Sequence, residues 1–331
     1  MLRLVLHETG DASDQRLVSE EVEGLPEPAA GEVALRVLAC GVCRTDLHIV
    51  EGELAAELPR VLGHQVVATV GAIGAGVDGV AAGDRVGIAW LASTCGECGY
   101  CIGGRENLCE RPRFTGRDRD GGYAEAMLAD ARFVYPLPET FSDVEAAPLL
   151  CAGVIGYRAL KLSEVPKGGR LGLFGFGASA HLAIQVANHW DCETYVFTRN
   201  EKHRKLGLEL GAAWVGAIED DPGVRLDGAV SFAPVGWMVP AALKKLGRGA
   251  TLAVNAVHSS DIPSFPYDSL YWERGVRSVA NFTREDAHEY LSLAAEVPIR
   301  ARTETFPLAE ANEALVRLKN DGINGAAVLV P

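Results

Sequence analysis

The sequence predicts an α/β protein of two domains, one rich in β-strands and one built on a doubly wound parallel sheet. Three observations lead there. The chain has 331 residues, 48% of them hydrophobic, enough to bury two cores at roughly 150 residues per domain. As far as about Leu150 the apolar residues come in short alternating runs broken by Gly and Pro. From Cys151 onward, strand-like runs alternate with stretches of helical period, the pattern of β-α-β units.

In chain order, Val33 to Val37 and Val66 to Val70 read as strands of the first region, joined by irregular loops. In the second region Arg170 to Gly175 reads as a strand, Ala178 to His189 as a helix, Glu193 to Thr198 as a strand and Glu201 to Leu210 as a helix. Further strands are expected at Gly228 to Phe232, Ala250 to Asn255 and Arg277 to Ala280. The closing segment, Thr283 to Pro331, carries amphipathic helices near Arg284 to Ala295 and Leu308 to Asn320, then a strand at Ala326 to Val330. By period alone that segment fits either domain.

A formal charge of -13 and a pI near 5.1 argue against nucleic-acid partners, because neutralising phosphates requires a basic surface. No stretch approaches the roughly 20 apolar residues of a membrane helix, and Met1 to Glu8 lacks an apolar run behind a basic start. A cytoplasmic enzyme with no membrane partner is expected. Of eight cysteines, four crowd between Cys95 and Cys109, which in a reducing compartment reads as metal binding.

Those four, Cys95, Cys98, Cys101 and Cys109, sit among Gly96, Gly99, Gly103 and Gly104. Tetrahedral zinc takes four thiolates, and short glycine-containing spacers let the backbone fold around it. With every ligand position filled by cysteine, this site is expected to be structural.

The run Leu171-Gly172-Leu173-Phe174-Gly175-Phe176-Gly177-Ala178-Ser179-Ala180 is an apolar strand entering G-x-G-x-x-A at a helix start. Gly175 suits a tight turn, Gly177 lets backbone approach a pyrophosphate, and Ala180 permits close packing, while the helix start offers free N–H groups to phosphate. A dinucleotide is expected there. The second strand ends in Phe197-Thr198-Arg199-Asn200, without the carboxylate that binds ribose hydroxyls, and His203 and Arg204 follow. Thr198, Arg199 and Arg204 therefore favour NADP over NAD.

Cys43, in Cys43-Arg44-Thr45-Asp46-Leu47-His48, His64, in Leu62-Gly63-His64-Gln65, and Cys151 are separately unremarkable; buried cysteines and lone histidines are common in cores. Taken in order with the four-cysteine lobe, Gly83-Asp84-Arg85-Val86 and the glycine turn, however, they resemble the zinc-containing medium-chain alcohol dehydrogenases over essentially the whole chain. That resemblance implies a GroES-like catalytic domain of residues 1–150 and 285–331 and a Rossmann domain of residues 151–284. It implies two zinc ions per subunit: a catalytic one on Cys43, His64 and Cys151, a Cys₂His set with an open fourth position, and a structural one on the lobe.

The resemblance further implies that Asp46 is a carboxylate behind the ligands. Thr45 would hydrogen-bond the alcohol, and His48 would pass its proton to solvent through the cofactor ribose. Trp90 would narrow the substrate pocket and Arg44 would contact the pyrophosphate, whereas the C-terminal arginine that often helps there is replaced at Ala326 or Ala327. Two departures stand out: Gln65 where the family commonly has Glu, and Ile155 where it often has Thr. The expected activity is hydride transfer between a small primary alcohol or its aldehyde and NAD(P), in a homodimer or homotetramer. The alternatives are a zinc-independent double-bond or quinone reductase of the same fold, and, in a different class, a zinc-ribbon-like binding module or a nucleotide-binding scaffold without turnover.

Overall fold

The structure, a computed structural model, describes residues 1–331 apart from Pro298 and Asn324. It divides into two compact units. The first comprises Met1–Cys151, Thr283–Ala295 and Arg300–Pro331; the second is Ala152–Phe282 with a short return near Ile299.

The first unit is built on a curled sheet with the strand order Val134–Pro136, Arg85–Ile88, Gln65–Ile73, Glu32–Val42, Ala326–Val330, Thr303–Pro307, and Ala126–Asp130 also pairs with Glu32–Val42. The closing strand settles what period alone left open. Ala326–Val330 lies antiparallel to Glu32–Val42, with Val328 opposite Gly41, so the C-terminal segment returns to the first unit. Glu32–Val42 runs well beyond the short strand expected at Val33 to Val37, and it is buried on both faces along most of its length. Irregular registers at Ala34/Leu35 and Val37/Ala39 bend it, as bulges do. Val33, Leu35, Val66, Ala68, Ile49 and Leu329 are among the side chains of this core.

A two-stranded ribbon, Leu91–Ser93 with Arg113–Phe114, brackets the cysteine lobe. Glu106, buried at its base, accepts hydrogen bonds from the Arg284 backbone N–H at 2.9 Å and from Arg284 Nε at 3.2 Å. The lobe is thereby tied to the start of the helix Arg284–Glu296.

The second unit is an all-parallel sheet in the order Trp214–Gly216, Glu193–Phe197, Arg170–Phe174, Gly228–Ser231, Thr251–Val254, Gly275–Ser278. Numbered along the chain, the strands lie 3-2-1-4-5-6, the arrangement of Rossmann domains. The expected helix Ala178–His189 is present, and the other expected strands and helices shift by a few residues at their ends. Trp214–Gly216 is a strand that the sequence pattern did not announce. Direction reverses beside Arg170–Phe174, the first strand, which places the glycine turn at the switch point where such sheets bind ligands. No helix among the described residues is long and apolar enough to cross a membrane.

Candidate active site

Three distant segments of the first unit bring Cys43, His64 and Cys151 together, with one ligand atom of each lying within 4.8 Å of the others. Cys43 follows the strand Glu32–Val42 and is the N-cap of the helix Arg44–Val50. His64 lies just before Gln65–Ile73, and Cys151 follows the tight turn Ala147–Leu150. His64 depends on its neighbour: Gly63 has φ +92°, and a Cβ there would stand 2.4 Å from the Tyr123 ring. Glycine is required by both conformation and space.

Asp46, fully buried, fixes two of the three segments. One carboxylate oxygen accepts from the Cys43 N–H at 2.9 Å. The other accepts from the Gly63 N–H at 3.2 Å and lies 3.3 Å from His64 Nδ1. Both ring nitrogens of His64 are buried without a hydrogen-bond partner, Nδ1 having only the ion-pair approach of Asp46, a costly state for polar atoms unless something else satisfies them. Burial works against a charged imidazole, yet Asp46 and Cys43 together hold the His64 pKa up to about 10. The hydrogen bond from Cys151 lowers the Cys43 thiol well below its usual range, and the same contact, with burial, raises Cys151. Two partly buried thiols and a buried imidazole whose ring nitrogens lack a hydrogen-bond partner, held around one point, fit a divalent metal that displaces their protons. The two sulfurs and one nitrogen are the donor set zinc accepts, and they fit it.

The neighbouring groups occupy the same short helix and its surroundings. Thr45 is buried, with Oγ1 3.6 Å from Cys43 Sγ. His48 Nδ1 is paired with Glu53, a residue the sequence reading missed because a spacing of five marks no common helix face. Arg44, half-exposed, pairs with Asp321. Trp90 meets the His64 ring edge-on at 4.9 Å. Gln65 is buried against Gly41, where an added Cβ would stand 2.9 Å from its side chain.

In the lobe the four sulfurs form a compact cluster, with separations of 3.5, 3.6, 3.9 and 4.0 Å. Disulfides require about 2.05 Å, so none is present; a tetrahedron of thiolates at about 2.3 Å from zinc has edges of about 3.8 Å, which matches. Backbone N–H groups point at the sulfurs, from Cys95 and Arg111 to Cys109 at 3.3 Å and from Cys98 to Cys95 at 3.4 Å. Such donors, from Glu97 and Cys98, bring the Cys95 thiol down to about 6. The lobe also fits zinc, with no ligand position left over.

In the second unit the glycine turn has the expected form. Gly175 has φ +85°, which favours glycine, and a Cβ on Gly177 would meet nothing within 4 Å, leaving space for a ligand. Gly177 caps the helix without a side-chain hydrogen bond, which leaves the first-turn N–H groups of Ala178, Ser179 and Ala180 without a side-chain cap. Ala180 is fully buried. At the end of the second strand Thr198 is buried and its carbonyl accepts from Arg204 Nε at 2.9 Å. Arg204 also approaches Glu201 at 3.7 Å, so it braces the strand end while Arg199 stands exposed.

The chain is similar to known alcohol dehydrogenases in sequence and in fold. The model of the alcohol dehydrogenase GroES-like domain matches residues 29–139. A probable alcohol dehydrogenase AdhA of Mycobacterium tuberculosis is 50% identical over 313 residues, covering 92% of this chain and 90% of its own. The alcohol dehydrogenase of the archaeon Aeropyrum pernix has a similar structure, with a TM-score of 0.87, 30% identity and 100% of both chains covered. An acetophenone reductase from Geotrichum candidum, solved in complex with NAD, has a TM-score of 0.86 at 25% identity, covering 100% of this chain and 97% of its own. On the identity to the mycobacterial protein and the matching domain, the chain belongs to the zinc-type medium-chain alcohol dehydrogenases.

Proposed function

We propose that this alcohol dehydrogenase interconverts small primary alcohols and their aldehydes, with one zinc on Cys43, His64 and Cys151, a second on Cys95, Cys98, Cys101 and Cys109, and NADP(H) as coenzyme. The observation that carries the reading is the convergence of three ligand atoms on one point beside the buried His64, with Asp46 behind two of them. It supports this chemistry over a zinc-independent reductase of the same fold. When bound, zinc supplies Lewis-acid polarisation of the alcohol oxygen, and the nicotinamide supplies the hydride acceptor.

The chain's own residues do the rest. Asp46 orients His64 and the Cys43 segment, so the donors need no rearrangement. The Thr45 hydroxyl hydrogen-bonds the alcohol, and His48, its ring held by Glu53, carries the proton to solvent. Trp90 limits the pocket beside His64. The helix start after Gly177 receives the pyrophosphate, and Arg199 takes the 2′-phosphate, since Arg204 is engaged with the strand end. A cytoplasmic homodimer or homotetramer is proposed as well. The edge strand Gly275–Ser278, with Val276, Tyr267, Tyr271 and Trp272 exposed nearby, supports self-association.

Steady-state turnover of ethanol, benzyl alcohol and their aldehydes with NAD(H) and NADP(H) side by side tests the reading. The expected result is turnover of these substrates with higher kcat/KM for NADP(H). Much higher efficiency with NAD(H) would overturn the role given to Arg199, and no turnover with either coenzyme would overturn the activity.

A further inference from the structure

Trp90 belongs to a stack of side chains extending from the ligand cluster. Its ring meets His64 at 4.9 Å and 74°, Phe114 stacks on it at 5.0 Å and 15°, and the Arg117 guanidinium covers the Phe114 ring at 5.6 Å. Arg117 Nε in turn donates to the Ala55 carbonyl at 2.8 Å. Parallel rings under a cation are a favourable arrangement.

The loop that supplies Phe114 and Arg117 is closed on itself and packed on the ligand segment. The Phe114 N–H donates to Asp118 Oδ2 at 2.8 Å, and the Asp118 N–H donates to the Phe114 carbonyl at 2.8 Å. Gly116 has φ +76°, and a Cβ there would stand 2.9 Å from the Gly63 nitrogen; one on Gly121 would stand 2.0 Å from the Gly63 oxygen. The loop therefore lies directly against the backbone of the residue before His64. Trp90 and Phe114 are themselves only half-buried, so each keeps an open edge.

We propose that Phe114 and Arg117 are positioning residues for substrate selection, clamping Trp90 against His64 and so setting the largest alcohol the site admits. The inference rests on the reading of Trp90 as a pocket wall. Trp90 follows the strand Arg85–Ile88 and its indole turns about two side-chain bonds. Without the Phe114 ring it has space to swing away from His64. With the ring and its guanidinium cover in place, the indole keeps its edge-on contact, and the site remains narrow.

The test compares kcat/KM for benzyl alcohol with that for ethanol in the zinc-loaded enzyme and in Trp90→Ala, Phe114→Ala, Phe114→Tyr and Arg117→Ala. Phe114→Ala is expected to raise the benzyl-to-ethanol ratio about tenfold, the scale on which pocket shape discriminates, chiefly through the KM for benzyl alcohol. Arg117→Ala should move it in the same direction by less, and Phe114→Tyr, which keeps the stack, should restore the native ratio. A ratio unchanged in Phe114→Ala while Trp90→Ala raises it overturns the clamp and leaves the pocket reading intact. A ratio unchanged in Trp90→Ala as well overturns both. If Phe114→Ala does not fold, Phe114→Leu carries the same expectation and the same contrary result.

Discussion

Asp46→Asn separates two roles that the structure assigns to one buried carboxylate. Its oxygens accept from Cys43 N–H at 2.9 Å and Gly63 N–H at 3.2 Å and face His64 Nδ1 at 3.3 Å. The amide keeps the shape but has one acceptor oxygen, so one backbone N–H must meet an NH₂ group. Each hydrogen bond to a buried charged acceptor is worth about 1.5–3 kcal/mol, so folding stability should fall by about 2 kcal/mol. The negative charge behind His64 is also lost. Groups of this kind change metal affinity or activity by about 10- to 100-fold, equivalent to about 1.4–2.7 kcal/mol. The assay is zinc competition with a chelator of known affinity, read alongside urea unfolding and kcat/KM for ethanol. If zinc affinity and turnover stay within about threefold of native, far less than such groups usually cost, while stability falls, Asp46 only caps the helix Arg44–Val50, and the reasoning about the metal is refuted.

Other perturbations test separate parts of the account. Cys98→Ser should remove the lobe zinc and lower the Tm, leaving one zinc per chain by elemental analysis. Gly63→Ala places a methyl 2.4 Å from the Tyr123 ring in a left-handed backbone, so it should destabilise the fold by about 2 kcal/mol or more and reduce zinc content, both read on purified protein. Glu106 is pushed up by burial, but the Arg284 backbone and guanidinium hold it below its ordinary value of 4.5. Its contribution to stability is thus fully present above that value and lost as pH falls below it. Glu106→Gln should be less stable than native in urea at pH 7, and the difference should shrink towards pH 3. Arg199→Ala should raise KM for NADP(H) with little change for NAD(H), measured by initial rates.

Much of the second unit was legible because it is periodic. Arg170–Phe174, the glycine turn and Ala178–His189 form one strand-turn-helix unit whose signals are all local. What was missed depends on packing. Ala152–Ser163 is a helix containing Gly153 and Gly156, poor helix formers, and it forms because Gly156 lets it approach Ser179 and Ala183. Trp214–Gly216 is only three residues long and exists by pairing with Tyr195–Phe197. In the site, the cysteine lobe was readable from spacing, since its ligands fall within one loop. Cys43, His64 and Cys151 were readable only as an ordered resemblance, because sheet pairing such as Gly41 with Gln65 brings them together. Phe114 reaches Trp90 through the ribbon pairing of Leu91 with Phe114, and Glu53 reaches His48 through a turn after the helix; neither leaves a pattern in the sequence.

The zinc content of the purified enzyme, determined together with turnover for the native chain and Cys43→Ala, tests the central claim most directly. The account predicts two zinc ions per native chain and, in Cys43→Ala, one zinc with the lobe intact and ethanol oxidation abolished. Full turnover in Cys43→Ala, or a native enzyme that is fully active with lobe zinc alone, would contradict it.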